Sequence, residues 1–265
     1  MIRVGLVRLE GYESWIRSLG YDREWIVQAA QADVYRNLVI ESAGAGMFSL
    51  PLTYDSYLVI INAAEVEGFK EVVSKLSDKA PVVLAAYVGL GRSYSEAVER
   101  LRPLSEACED PGEGALEDTV VVHLDLDGYN ELMSNKGLHY VEELMNAALH
   151  RARKISTKHG GLAYYAGGDN IICFVPCERL SDFLDEVRVG DFKVGVGIAP
   201  RPRDALALAA QALDAIRLER QSDKVLVMRD PEREPYARSV EASRERLSPP
   251  RGTLRGTRPS PKSCL

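Results

Sequence analysis

The sequence predicts a mixed α/β (α+β) protein of two tandem domains, each a mostly antiparallel sheet with helices packed on one face. Three observations carry this. Short, mostly apolar runs at residues 82–88, 120–126 and 193–198 have the length and β-branched content of buried strands. Longer stretches with apolar residues at helical spacing alternate with them. The order of these elements occurs twice along the chain.

The first half opens with a strand at residues 2–9, followed by Glu10-Gly11-Tyr12. Residues 25–42 read as a helix, because Ile26, Ala29, Ala30, Val34, Leu38 and Val39 are spaced for one apolar face. Ala43-Gly44-Ala45-Gly46 breaks it. A hairpin of residues 47–52 and 57–63 then turns through Thr53-Tyr54-Asp55-Ser56. An amphipathic helix at 66–76, a strand at 82–88 and a helix at 95–104 complete the half, with Ser95 as the expected N-cap. Glu109-Asp110-Pro111-Gly112-Glu113-Gly114-Ala115 has linker composition. It divides an N-terminal domain (1–108) from a C-terminal one (119–229), with 109–118 between them.

The second half repeats the pattern. A strand at 120–126 leads into Asp127-Gly128-Tyr129, and a helix at about 140–158 stops at Gly160-Gly161. A hairpin of residues 162–166 and 171–175 turns through Gly167-Gly168-Asp169-Asn170, a composition suited to positive φ. A short helix at 180–187, a strand at 193–198, an alanine-rich helix at 204–219 and an edge strand at 225–228 follow. Leu9-Glu10-Gly11-Tyr12 aligns with Leu126-Asp127-Gly128-Tyr129, Asp55-Ser56 with Asp169-Asn170, and Ser95 to Val98 with Arg203 to Leu206. The offsets of 117, 114 and 108 differ only by small loop changes.

The copies differ where chemistry is expected. Asp125 interrupts an apolar strand near its end, where a charge is costly unless paired or metal-bound. Asp169 sits at a hairpin tip. Two readings stand: the two carboxylates meet on adjacent strands and hold Mg²⁺, or they are an Asx-type turn and a satisfied strand-end acid. In the first copy Arg8 replaces Asp125 and Thr53-Tyr54 replaces Gly167-Gly168, so metal chemistry is assigned to the second copy. The first copy is then a degenerate duplicate. Gly128 lets the following loop aim N–H groups, with Tyr129, at phosphate oxygens, and Arg217 near the end of the last helix is a candidate phosphate clamp or a solvated surface arginine.

Composition narrows the classes. Apolar content of 46% and charged content of 27% are ordinary for a globular protein. No apolar run approaches the roughly 20 residues of a membrane span, and the N-terminal strand lacks a signal peptide's apolar core. A cytoplasmic protein without a membrane partner is expected. The four cysteines form no CxxC pair, and Cys173 reads as a small buried hydrophobe. Five basic residues and no acids fall in 246–265; setting these aside from the net −6 leaves residues 1–245 at −11. So acidic a body argues against nucleic-acid binding and asks for Mg²⁺ if a triphosphate is to bind. Charged residues, Ser and Pro dominate from 231 onward, so 230–265 reads as a basic, Pro-rich, disordered tail.

Taken together, Asp-x-Asp at a strand end, a helix, Gly-Gly-Asp at a hairpin and Ala-Leu-x-x-Ile-Arg on the closing helix resemble the nucleotidyl-cyclase palm superfamily. That superfamily includes the GGDEF diguanylate cyclases and has ferredoxin-like, palm domains. Leu9 to Tyr12 with Trp15, Tyr54-Asp55, His123-Leu124-Asp125, Gly167 to Asn170, Gly195 to Ile198 and Ala212 to Arg217 look most like archaeal GTP cyclohydrolase III. The resemblance spans roughly residues 1–228. It implies a homo-oligomeric, Mg²⁺-dependent enzyme (two or more ions per site) aided by a monovalent cation such as K⁺. Such an enzyme opens the imidazole ring of GTP, retains the formyl group and releases the terminal phosphates, supplying riboflavin and deazaflavin synthesis.

Carried over to this chain, the resemblance implies Asp125 and Asp169 as metal ligands with the Leu126 carbonyl assisting. Gly128, Tyr129, Gly167, Gly168, Asn170 and Arg217 become substrate contacts, and Asp127, Asp55 and Glu10 candidates for general base or extra ligand. Two alternatives remain, a nucleotidyl or diguanylate cyclase and a non-catalytic GTP-binding palm. Asn170, where GGDEF proteins carry an acid, argues against the first; the intact Asp125, Gly167, Gly168 and Asp169 argue against the second. If the tail is a passive extension, deleting residues 239–265 leaves the turnover rate of GTP unchanged; a large loss would give the tail a role.

Overall fold

The computed structural model describes residues 1–106, 115–187, 192–218 and 224–230. Most of the expected linker and the tail from residue 231 lie outside these, as does the expected end of the last helix at Glu219. Within the first half the elements are β1 (Ile2–Leu9), α1 (Tyr12–Ser18), α2 (Glu24–Gly44), β2 (Phe48–Pro51), β3 (Ser56–Ile60), α3 (Val66–Ser77), β4 (Leu84–Gly91), α4 (Tyr94–Glu99) and β5 (Arg102–Pro103). The second half has β6 (Thr119–Leu126), α5 (Tyr129–Lys136), α6 (Leu138–Lys158), β7 (Leu162–Gly167), β8 (Asn170–Val175), α7 (Leu180–Val187), β9 (Phe192–Ala199), α8 (Pro202–Leu218) and β10 (Val225–Arg229).

Each half forms one five-stranded sheet, ordered β2-β3-β1-β4-β5 and β7-β8-β6-β9-β10. All pairings are antiparallel except β10 with β9. Strand alternation sends Val120, Val122, Leu124 and Leu126 to a core beneath α6 and α7, and Val7 and Leu9 to the matching core beneath α2 and α3. These are the expected helical layers. The helices are not confined to one face, however. Gly195 and Gly197 turn to the other side of β9, where α8 lies so close that a Cβ on Gly197 would stand 1.9 Å from the Ala205 carbonyl oxygen. In the first half Gly89 meets the Ala97 carbonyl of α4 at the same 1.9 Å.

The faces that carry α4 and α8 also join the two halves. Ile2, Val4, Leu58 and Ile60 share a buried cluster with Val121, Ile172 and Phe174, and the Tyr94 ring lies tilted against Phe174 with centroids 5.9 Å apart. Repeat-equivalent residues make reciprocal bonds across this junction: Ser95 N–H donates to the Gly160 carbonyl (3.3 Å), and Arg203 N–H donates to the Gly46 carbonyl (3.2 Å). The copies therefore pack about an approximate two-fold axis, and Met1 to Pro231 form one compact unit.

The repeat alignment holds in detail. Gly11 and Gly128 precede α1 and α5 with φ of 73° and 71°, and Leu9 and Leu126 donate equivalent bonds to the Asp55 and Asp169 carbonyls. Sequence reading passes over α1 and α5 because each is only about two turns long, and α5 buries none of its residues. The cap of α4 also needs correction. Ser93, not Ser95, accepts from the Glu96 N–H at 3.1 Å, and the helix ends at Glu99, because a serine outside the helix can reach back to N3 and one already inside its first turn cannot. Replacing Gly197 with Ala should cost about 2–3 kcal/mol, since a backbone carbonyl blocks the added methyl. The shift in urea midpoint measures this; an unchanged midpoint would mean that α8 can move away from β9 freely.

Candidate active site

The second half gathers its chemistry where β6 ends. Asp125 pairs across the sheet with Asn170 of β8 on one side and Lys193 of β9 on the other. In an antiparallel sheet paired residues share a face, so Asp125, Asn170 and Lys193 face the side that α8 covers. The turn beside them is as tight as its composition suggests: Gly167 pairs with Asn170, and Gly167 and Gly168 take φ of 101° and 59°. The Leu126 N–H donates to the Asp169 carbonyl at 3.0 Å and fastens the turn to the end of β6. Asp169, in that turn, is thus brought near Asp125 at the end of β6, close enough to raise its carboxyl.

Asp125 is 3% exposed. Its Oδ2 accepts from Arg217 Nη2 at 2.5 Å, and Arg217 also bonds Asp214 at 3.1 Å. Burial raises the Asp125 carboxyl above the ordinary aspartate range, Arg217 opposes that rise, and the nearby Asp169 adds to it. Asp127 is paired with Lys193 at 2.6 Å, a bond that holds its carboxyl below the usual range. Two acids and two cations therefore stand in adjacent pairs.

A second chain of bonds runs through Asn170. Its Nδ2 donates to Asp169 Oδ1 at 2.6 Å, and its Oδ1 lies 2.7 Å from His123 Nε2. A carboxylate only accepts, so the amide must turn its NH₂ to Asp169 and its oxygen to His123, and His123 must donate from Nε2. Burial pushes the His123 imidazole below its ordinary range, the Asn170 bond opposing. Its Nδ1 is buried without a hydrogen-bond partner among the described residues.

Gly128 caps α5, and Tyr129 packs against the core of this half. Asp55 and Glu10 occupy the equivalent corner of the first sheet. Asp55 accepts from Thr53 (2.6 Å) and Ser56 (3.2 Å), and Glu10 lies 3.9 Å from Arg8. Lys193 is the contact that sequence reading misses. The signal was present, since Lys193 is a lone charge near the end of an apolar strand, as Asp125 is. Cys173 is buried in the core and its thiol is pushed up to about 12, as befits a small hydrophobe.

Among the described residues no cluster of three or more His, Cys, Asp or Glu could by itself cage a metal. Two adjacent carboxylates beside a turn with no Cβ suit Mg²⁺, which takes few protein ligands and completes its shell with phosphates and water. The residues present fit that ion.

Fold and site together define a duplicated α+β protein whose second copy carries an acidic corner at a Gly-Gly turn. The chain belongs to the GTP cyclohydrolase III family, a family of enzymes, whose family model matches residues 4–230. A GTP cyclohydrolase III of Aeropyrum pernix is 36% identical over 230 residues, covering 82% of this chain and 92% of the relative. One of Pyrobaculum aerophilum is 32% identical over 220 residues, covering 83% and 96%. Among solved structures, a GGDEF domain from Pseudomonas aeruginosa aligns with a TM-score of 0.37 and 16% identity over 42% of this chain and 82% of its own, too distant to carry an argument.

No helix of the described residues is long and apolar enough to cross a membrane. Because Asp125 is buried and Arg217 half-exposed, Arg217→Ala in Mg²⁺-free buffer should cost about 1–2 kcal/mol. The Asp125→Asn, Arg217→Ala double variant should cost less than the two singles summed. Additive losses in denaturant midpoints would show that the pair is not coupled.

Proposed function

We propose that this chain is a Mg²⁺-dependent GTP cyclohydrolase III. It opens the imidazole ring of GTP to give 2-amino-5-formylamino-6-(5-phospho-D-ribosylamino)pyrimidin-4(3H)-one and inorganic phosphate. The observation that carries the reading is the approach of Asp169, in the turn fastened to Leu126, to the buried Asp125 beside Gly167-Gly168; family membership supplies the reaction. The first sheet is read as a degenerate duplicate, the second as the copy holding the ion, in a cytoplasmic homo-oligomer.

Asp125 and Asp169 would hold the ion, with the Leu126 carbonyl as a further ligand. When bound, Mg²⁺ neutralises the triphosphate and lowers the pKa of coordinated water. The rest is done by the chain. Gly167 and Gly168 leave the turn backbone open to phosphate oxygens, with nothing within 4 Å of where a Cβ would stand. The positive φ of Gly128 turns the chain from β6 into α5, beside Tyr129. Asn170 holds the Asp169 carboxylate in one orientation by its 2.6 Å bond, and Arg217 is the cation nearest to Asp125. One water attacks the ring carbon of guanine and opens the ring, and two more hydrolyse the two phosphoanhydride bonds, so that both terminal phosphates leave as inorganic phosphate. Asp127, Asp55 and Glu10 are the acids proposed to take a proton or add a ligand, and Asp127 stands at the end of the same strand as Asp125. A monovalent cation such as K⁺ is proposed to assist.

Incubating the purified protein with GTP and Mg²⁺ should release phosphate and shift the guanine absorbance as the ring opens. Asp169→Asn should abolish turnover and Mg²⁺-dependent GTP binding while leaving the circular dichroism spectrum unchanged. A cyclic dinucleotide as product, or near-normal activity of Asp169→Asn, would sink the assignment.

A further inference from the structure

Among the described residues the first copy shows a different arrangement at its equivalent corner, where Arg8 lies 3.9 Å from Glu10. In the first sheet Arg8 pairs with Ala85; in the second, the equivalent partners are Asp125 and Lys193. So Lys193 appears as a strand cation only where its neighbour is a carboxylate. It is mostly enclosed, at 20% side-chain exposure, and its Nζ lies 2.6 Å from Asp127. On the same face Arg217, carried by α8, reaches Asp125 at 2.5 Å and has a second acceptor in Asp214. Asp125 is too buried to be ionised at low cost without a cation beside it. Arg217 supplies that charge from within the chain, at the carboxylate where a divalent ion would sit.

We propose that Lys193 and Arg217 are exchangeable counterions. Each holds an aspartate at the end of β6 until a metal–polyphosphate complex arrives, and each then gives up its aspartate for a phosphate oxygen. This assigns Lys193 as a polyphosphate-binding residue and makes metal and phosphate binding mutually dependent; it rests on the reading of the site given above. The charges favour the exchange. A divalent cation on Asp125 repels Arg217, and the phosphates entering with it accept charge-assisted bonds from both released cations. Binding of either partner alone is opposed, because the metal must displace Arg217 and the phosphate must meet uncompensated Asp125 and Asp127. By linkage, each then strengthens the other's binding by the same factor.

The test uses the full chain, with Mn²⁺ as the metal probe read by electron paramagnetic resonance and inorganic tripolyphosphate as the phosphate probe read by calorimetry. In nucleotide-free protein, Lys193→Gln and Arg217→Gln should each tighten Mn²⁺ binding several-fold, and Arg217→Gln more, because it faces the buried acid directly. In the presence of Mg²⁺ each should weaken tripolyphosphate binding by about tenfold, the loss of one charge-assisted contact. Lys193→Arg and Arg217→Lys keep the charge and should restore most of the phosphate affinity, so a loss in the Gln variants is not a folding defect. Unchanged or weaker Mn²⁺ binding in both Gln variants, or unchanged tripolyphosphate binding, would overturn the proposal. If wild-type protein shows this coupling yet leaves GTP intact, the assigned reaction fails and the exchange stands.

Discussion

The close approach of α8 to β9 is the constraint on which the site depends. Gly195 and Gly197 alternate with Val194, Val196 and Ile198, so one strand presents branched side chains to the core under α6 and α7 and bare backbone to α8. With no Cβ in the way, the carbonyls of Ala205 and Ala209 come against the strand, and the helix passes over the end of β6. Arg217, near the end of that helix, is then held over Asp125. Asp125 is buried beneath this packing, where its charge must be matched, and Arg217 matches it.

Duplication sets the second layer of the design. The reciprocal bonds from Ser95 to Gly160 and from Arg203 to Gly46 show that the copies kept the same packing surface while their strand ends diverged. Packing is intolerant of change because both copies share one buried cluster through Phe174, Ile60 and their neighbours. The strand ends lie outside that cluster. Arg8 could therefore replace a carboxylate, and Thr53-Tyr54 two glycines, without disturbing the junction. Divergence at one corner with shared geometry at the junction accords with the proposal that the second copy holds the ion.

Much of this was legible in the residues. The order of the longer elements, the repeat and the tight Gly-Gly turn all follow from periodicities and offsets that act locally or are copied from one half to the other. Less legible were the two short helices, whose roughly two turns each leave no periodic trace. The cap of α4 shifted by two residues because Ser93 and Ser95 carry the same side chain, and only the helix position decides which one is outside it.

The sequence by itself determined which residue types stand at the end of β6 and in the turn beside it, because strand alternation and glycine's freedom at positive φ are properties of a few neighbouring residues. Only the tertiary structure decided what those residues touch. Asp125 and Arg217 are 92 positions apart, and Asp127 and Lys193 are 66 apart; no local rule pairs them. That pairing arises when two strands take a register and a helix settles on a glycine-bearing face. Placing α8 on the opposite side from α6 and α7 likewise required the first copy, whose packing supplies the rest of the apolar surface on that face.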